Sequence, residues 1–140
     1  MAAKVVTQAS ISIETAQALI VAAEKKAREI GVPMVIAVCD ESGVLKAFSR
    51  MDGAALLSVD IAQNKAYTAV SFGIPTHGWY DFIKDDPPLL HGITHTPRLV
   101  VFGGGYPIQH EGQVIGGIGV SGGHYSQDMQ VAEAALATLA

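Results

Sequence analysis

Met34-Val35-Ile36-Ala37-Val38-Cys39-Asp40-Glu41-Ser42-Gly43-Val44-Leu45-Lys46-Ala47-Phe48-Ser49 contains two short runs flanking a turn. The first, Met34 to Cys39, is continuously apolar and rich in β-branched residues, as a buried strand should be. Asp40-Glu41-Ser42-Gly43 supplies turn chemistry, and Val44 to Ser49 returns as the second strand of a hairpin. A hairpin pairs its strands antiparallel, which already argues against a doubly wound parallel sheet.

Upstream, residues 12–30 read as a helix. Ser12 is placed to cap it, and Ile13, Ala16, Leu19, Ile20, Ala23, Ala27 and Ile30 recur at helical spacing. Gly31 and Pro33 stop it. Downstream, a second helix is expected over about 55–72, with Ala62, Ala66 and Ala69 giving it a face of small residues. Gly73 and Pro75 end that helix, and residues 75–97 are irregular apart from a short helix near 79–83. Leu99 to Phe102 reads as a strand, followed by a hairpin of 106–109 and 114–120 around Glu111-Gly112. A last helix starts near Ser126, with Met129, Ala132, Leu136 and Leu139 facing inward. The expectation is one α+β domain over 1–140, an antiparallel sheet of about five strands with helices packed on it.

Gly117-Ile118-Gly119-Val120-Ser121-Gly122 matches G-x-G-x-x-G. A dinucleotide site needs that motif between a strand and a helix, with an acid about 20 residues on. Here it lies within a returning hairpin strand and the sequence stops short of such an acid, so the nucleotide reading fails. Glycine in a strand more often marks close backbone approach. A tightly packed helix, or a flat ligand, would explain Gly116, Gly117 and Gly119.

The 140 residues are 49% apolar and only 16% charged, with a net charge of −4. The scattered basic residues exclude a nucleic-acid footprint, and no stretch has the length and apolarity of a membrane span. So low a charged share points to apolar surface buried between subunits, hence a homo-oligomer. Cys39 is the only cysteine, which rules out an intrachain disulfide and a thiolate metal cluster. The start of the sequence lacks a secretory pattern, so the chain reads as cytoplasmic.

Five histidines occur: His77, His91, His95, His110 and His124. His91 and His95 are four apart, but Gly92, Thr94 and Pro97 make a poor helix. On a strand they would stand about 13 Å apart, too far for one ion. No H-E-x-x-H or cysteine–histidine pattern is present, so no tight structural metal site is expected, while a loop-borne metal or haem ligand stays open. His110 falls in a hairpin turn and His124 just before the last helix. Arg50 could clamp a carboxylate, and Asp52 could cap the second helix. Lys65, on the small-residue helix face, would either be buried in a pocket or snorkel out.

Arg50-Met51-Asp52-Gly53-Ala54 and Ala62-x-x-Lys65-Ala66-x-Thr68-Ala69 resemble the first half of the GlcG/HbpS family. Gly104-Gly105-Tyr106-Pro107-Ile108, Gly116-x-Ile118-Gly119-Val120-Ser121-Gly122 and Gln127-Asp128 resemble its second half. The resemblance covers about residues 10–140. It implies a compact α+β subunit that assembles as dimers and often octamers, and a haem-binding protein, in some members haem-degrading or redox-sensing. By that analogy Arg50, Lys65 and the Gly104 to Pro107 loop, with Tyr106, line the ligand pocket. The segment 74–97 departs from the family pattern in its histidines and aromatics, which places the specific chemistry at His77, His91 and His95.

Two functions lead for these residues, with a structural or regulatory subunit without chemistry as a third. One is haem binding, with His77, Arg50, Gly104 and Tyr106 around the cofactor. The other is a haem-independent enzyme for a small acidic or aromatic metabolite. It would use Lys65, His91 and His95 for acid–base work, Arg50 as carboxylate clamp, and Trp79 or Tyr80 as an apolar wall. On either reading Lys65 is a pocket residue, and Lys65→Met should weaken ligand binding while sparing thermal stability.

Overall fold

The computed structural model describes residues 2–140. Strands β1 (Val35–Asp40), β2 (Leu45–Arg50), β3 (Gly105–His110) and β4 (Gln113–Ser121) form one sheet in the order β2-β1-β4-β3, antiparallel throughout. The opening hairpin forms as its sequence demands. Asp40 Oδ1 accepts from the amides of Ser42 (2.9 Å) and Val44 (3.1 Å), and Gly43 takes a positive φ. The second hairpin turns on Glu111 (φ 51°) and Gly112 (φ 78°), a left-handed pair whose twist suits a two-residue connection.

Helix α1 (Ile13–Ile30) is capped as its sequence implies: Ser12 Oγ accepts from Thr15 N, and Gly31 closes it at φ 73°. Helices α2 (Leu57–Phe72), α3 (Trp79–Ile83), α4 (Pro87–Gly92) and α5 (Tyr125–Ala137) follow. Strand alternation assigns the two sheet faces. Ile36, Val38, Ile118, Val120, Tyr106 and Ile108 meet α1 and α5 in the main core. The opposite face presents Val35 and Ala37 from β1, with Gly117 and Gly119 from β4, to α2. A Cβ on Gly119 would run into the Ala62 carbonyl, and one on Gly117 into the Ala66 carbonyl. The glycines are therefore bare because α2 lies against them, and its alanine face is the matching half of that approach.

Four expectations change. Residues 75–97 are not irregular outside 79–83, because α4 and the 3-10 turns Thr76–Gly78 and Ile93–His95 form there. Leu99 to Phe102 is not a strand, so the sheet has four strands. The Val100 amide is taken by the hydroxyl of Thr68 on α2 instead of by a sheet neighbour, and Arg98 just before it turns the chain at φ 69°. On α5, Ala132 is buried and Met129 and Leu136 pack against the core as expected, but Leu139 is exposed, and Asp128, Val131 and Ala135 complete the inner face. Asp52 does not cap α2, which begins at Leu57 without a side-chain cap. Among the described residues no helix is long and apolar enough to cross a membrane.

Candidate functional site

The segment between α4 and β3 descends onto the sheet through Gly103, Gly104 and Gly105, each at a point where a side chain would collide. A Cβ on Gly103 would meet Met129, and one on Gly104 (φ 124°) would meet the Val120 carbonyl and Lys65 Nζ. At Gly105 the obstacle is the Lys65 carbonyl. Thr76, buried at 0% exposure, pins this descent by accepting from the Gly105 amide at 2.9 Å. The same threonine opens a single 3-10 turn, Thr76–Gly78, and so fixes its neighbour His77. Between this turn, α3, the descending loop and the start of α5 lies a cavity of about 490 Å³. Its wall is aromatic, from Tyr80, Phe102 and Tyr125, with Val101 beside them and the polar groups of His77 and Asp81.

Of His77, His91 and His95, His77 is the one that, beside Tyr80, reaches this cavity. Its ring stands against Tyr106, centroids 5.5 Å apart and tilted 57°. Tyr106 is nearly buried and donates from its hydroxyl to Glu133 Oε1 at 2.9 Å. Burial first, then that bond to a carboxylate, push the phenol well above its ordinary range. Tyr106 thus backs the imidazole as a rigid neutral ring.

Lys65 is brought close to the cavity but sealed from it. Its side chain is fully buried, and its ammonium donates to Asp128 Oδ2 (2.7 Å) and to the Val120 carbonyl (2.9 Å). The Phe102 ring covers it at 5.0 Å. Burial pushes the ammonium below its ordinary range and the Asp128 carboxyl above its own, each opposed by the other's charge. Asp128 also accepts from the Gly123 amide through Oδ1. The pair ties α2, β4 and α5 together beneath the loop that forms the cavity wall. Gly104 belongs to this layer too.

The remaining selected residues lie apart. His91 is on α4 and His95 on the 3-10 turn Ile93–His95; both are exposed and neither lines the cavity. Lys65, His91 and His95 therefore do not converge. Arg50 lies in a separate polar cleft with Glu24 and Arg28, and donates to the Ala54 carbonyl at 3.0 Å. His124 caps α5, its ring bonded to Ser126, and His110 is exposed at the end of β3. Of the two suggested wall residues, Tyr80 lines the cavity while Trp79 is buried between Phe72 and Phe82. Among the described residues no group of three metal-ligating side chains is found.

The sequence pattern describing haem-degrading HbpS-like proteins matches residues 11–137. The chain belongs to the HbpS-like family. This HbpS-like chain is 43% identical over 130 residues to an uncharacterized 15.0 kDa protein of Citrobacter freundii, covering 91% of each. It is 37% identical to the corrinoid adenosyltransferase PduO of the same organism, over 93% of this chain but only 39% of that protein. Its fold is similar to Klebsiella pneumoniae protein ORFY, with TM-score 0.92 and 38% identity over 98% of this chain and 95% of that one. It is also similar to a PduOC:haem complex, with TM-score 0.85 and 37% identity over 91% and 94%.

At this candidate site of the HbpS-like chain, Asp81, Phe102 and Tyr125 are not singled out by the sequence, and Asp128 enters there only as part of the family motif. Phe102 lies in an apolar run whose pattern is that of a strand. Asp128 had a usable signal, since a lysine on a buried alanine face requires an acid and Gln127-Asp128 lies within the family motif.

Proposed function

We propose that this chain binds haem in the cavity bounded by His77, Tyr80, Phe102 and Tyr125. The observation that carries the reading is an imidazole opening into an aromatic-walled cavity, in a fold shared with a protein crystallised as a haem complex. The side chains present fit the group. Phe102, Tyr80 and Tyr125 offer flat apolar surface, and His77 offers a nitrogen able to ligate iron. Asp81 would repel a propionate, but Lys84 pairs with it at 3.2 Å and offsets that charge. Haem, when bound, supplies the iron's redox and ligand-binding chemistry; the protein's part is to seat it and hold His77 against Tyr106.

The test is a haemin titration of the purified protein followed by its Soret band. Wild type, His91→Ala and His95→Ala are expected to give the same saturating, red-shifted band, and His77→Ala to lose it. A His77→Ala protein indistinguishable from wild type, or a wild type with no shifted band, overturns the reading. Bleaching of a bound band under added reductant and oxygen would extend the proposal to haem degradation.

We propose also that copies of the chain associate through exposed apolar side chains, among them Phe72 (67% exposed) and Phe82 (68%) beside the buried Trp79. The low charged share supports this. Light scattering is expected to give a mass above 14.6 kDa, and a monomer at micromolar concentration defeats it.

A further inference from the structure

A second cavity, of about 620 Å³, lies between the β1–β2 turn and the outer side of α2 and shares no lining residue with the first. Its size suits a small ligand. Its charged lining residues are Arg98 and Asp60, with Gln63 and Asn64 polar and Val44 and Leu45 apolar. Arg98 is held there in an unusual way. Its φ of 69° is a left-handed conformation that non-glycine residues seldom adopt. Buried Thr68 maintains it, donating to the Arg98 carbonyl at 2.9 Å and accepting from the Val100 amide at 3.0 Å. Strain of this kind persists where the surroundings over-determine it, and it collects at ligand-holding sites.

The guanidinium is oriented as well as its backbone. It stacks on the Tyr67 ring at 3.9 Å, and Tyr67 is itself packed against Gly43, where a Cβ would overlap the ring. Nε donates to Asn64 Oδ1 at 3.2 Å. Among the described residues neither terminal nitrogen has a hydrogen-bond or ion-pair partner. Arg50, the expected carboxylate clamp, differs in that its Nη2 is already satisfied by the Ala54 carbonyl. A planar fork fixed on one edge and free on the other is the geometry that grips an oxyanion through two parallel bonds.

We propose that Arg98 holds a small monocarboxylate in this cavity, its two terminal nitrogens donating to the two carboxylate oxygens. The Asp60 carboxylate opens on the same cavity and disfavours a dianion such as phosphate near neutral pH. Val44 and Leu45, 61% and 48% exposed, offer a short apolar wall for an aliphatic body. The site is independent of haem and of His77.

The experiment is an NMR titration of the haem-free protein with acetate, butyrate, inorganic phosphate and chloride at matched ionic strength. It follows the Arg98 Nε–H and Tyr67 ring signals. Saturable shifts are expected with acetate, at lower concentration with butyrate, and at higher concentration with phosphate. Arg98→Asn, which tolerates the left-handed backbone while removing the fork, should fold and weaken butyrate binding roughly ten- to a hundredfold. If it does not fold, Arg98→Lys, which keeps the charge and loses the fork, is expected to show the same loss. Asp60→Asn should tighten phosphate binding. Absence of saturable shifts, equal shifts with chloride, tighter binding of phosphate than of acetate, or unchanged affinity in a folded Arg98 variant overturns the proposal.

Discussion

Lys65 Nζ lies 2.7 Å from Asp128 Oδ2, an ion pair in which neither side chain is more than 3% exposed. Removing one member leaves a buried charge with no counterpart, which typically costs about 3–5 kcal/mol. Lys65→Met is therefore expected to lower stability by about that amount, the reverse of what a pocket lysine would do. Paired with Asp128→Leu it should recover most of the loss, because two apolar groups can fill the site without an orphan charge. Urea unfolding of both single variants and the double variant checks this. A Lys65→Met protein as stable as wild type would return the lysine to the pocket.

Gly119 faces the Ala62 carbonyl and Ala66 amide of α2 so closely that a methyl has nowhere to go. Both obstacles are helix backbone, so α2 must lift from the sheet. Gly119→Ala is expected to cost about 3 kcal/mol or more in unfolding free energy, at the upper end of overpacking effects. Gly92→Ala, where nothing lies within 4 Å, should stay within about 0.5 kcal/mol of wild type.

These two sites show what could be read from the sequence. The hairpin at residues 34–49 and the caps Ser12 and Gly31 act locally, so their chemistry is visible in a few neighbouring letters. The glycines of β4 and the alanines of α2 could be read separately as requests for close approach, and the structure joins them. The partners of Lys65 were out of reach, because Asp128 is 63 residues away and only the tertiary fold brings them together. Leu99 to Phe102 reads as a strand because an apolar run looks the same whether a strand neighbour or the Thr68 hydroxyl takes its amide. His91 and His95 stand out in the sequence only for their place in an irregular segment. That segment folds into short helical turns which leave both imidazoles exposed, and only His77, tied down through Thr76, reaches a cavity.

Tyr106→Phe separates two jobs of one side chain. The hydroxyl bonds Glu133 at 2.9 Å, while the ring backs His77 at 5.5 Å. Phenylalanine keeps the ring and loses the bond. The variant is expected to lose about 1 kcal/mol yet retain the haemin titration curve of wild type. A Soret band altered in position or midpoint would mean that the hydroxyl, too, acts on the cavity.

Cys39 is 3% exposed, and burial pushes its thiol up from 9.0 to about 11. The native state therefore holds a proton that the unfolded chain releases between those two values. More protons bound in the native state than in the unfolded state means that stability falls as pH rises. The stabilisation is whole below pH 9 and lost through about pH 11, roughly 2–3 kcal/mol in all. Tyr106 also titrates late and contributes its own loss, so the measurement is a difference. Wild type minus Cys39→Ala, followed by urea unfolding from pH 8.5 to 11, should decline by that amount, because the alanine variant keeps every other titrating group. The same burial predicts that native Cys39 reacts slowly with iodoacetamide at pH 8 and at the rate of a free thiol in urea. A difference that stays flat across the window, or a native thiol as reactive as an unfolded one, would mean that the β1 face beneath α2 opens to solvent.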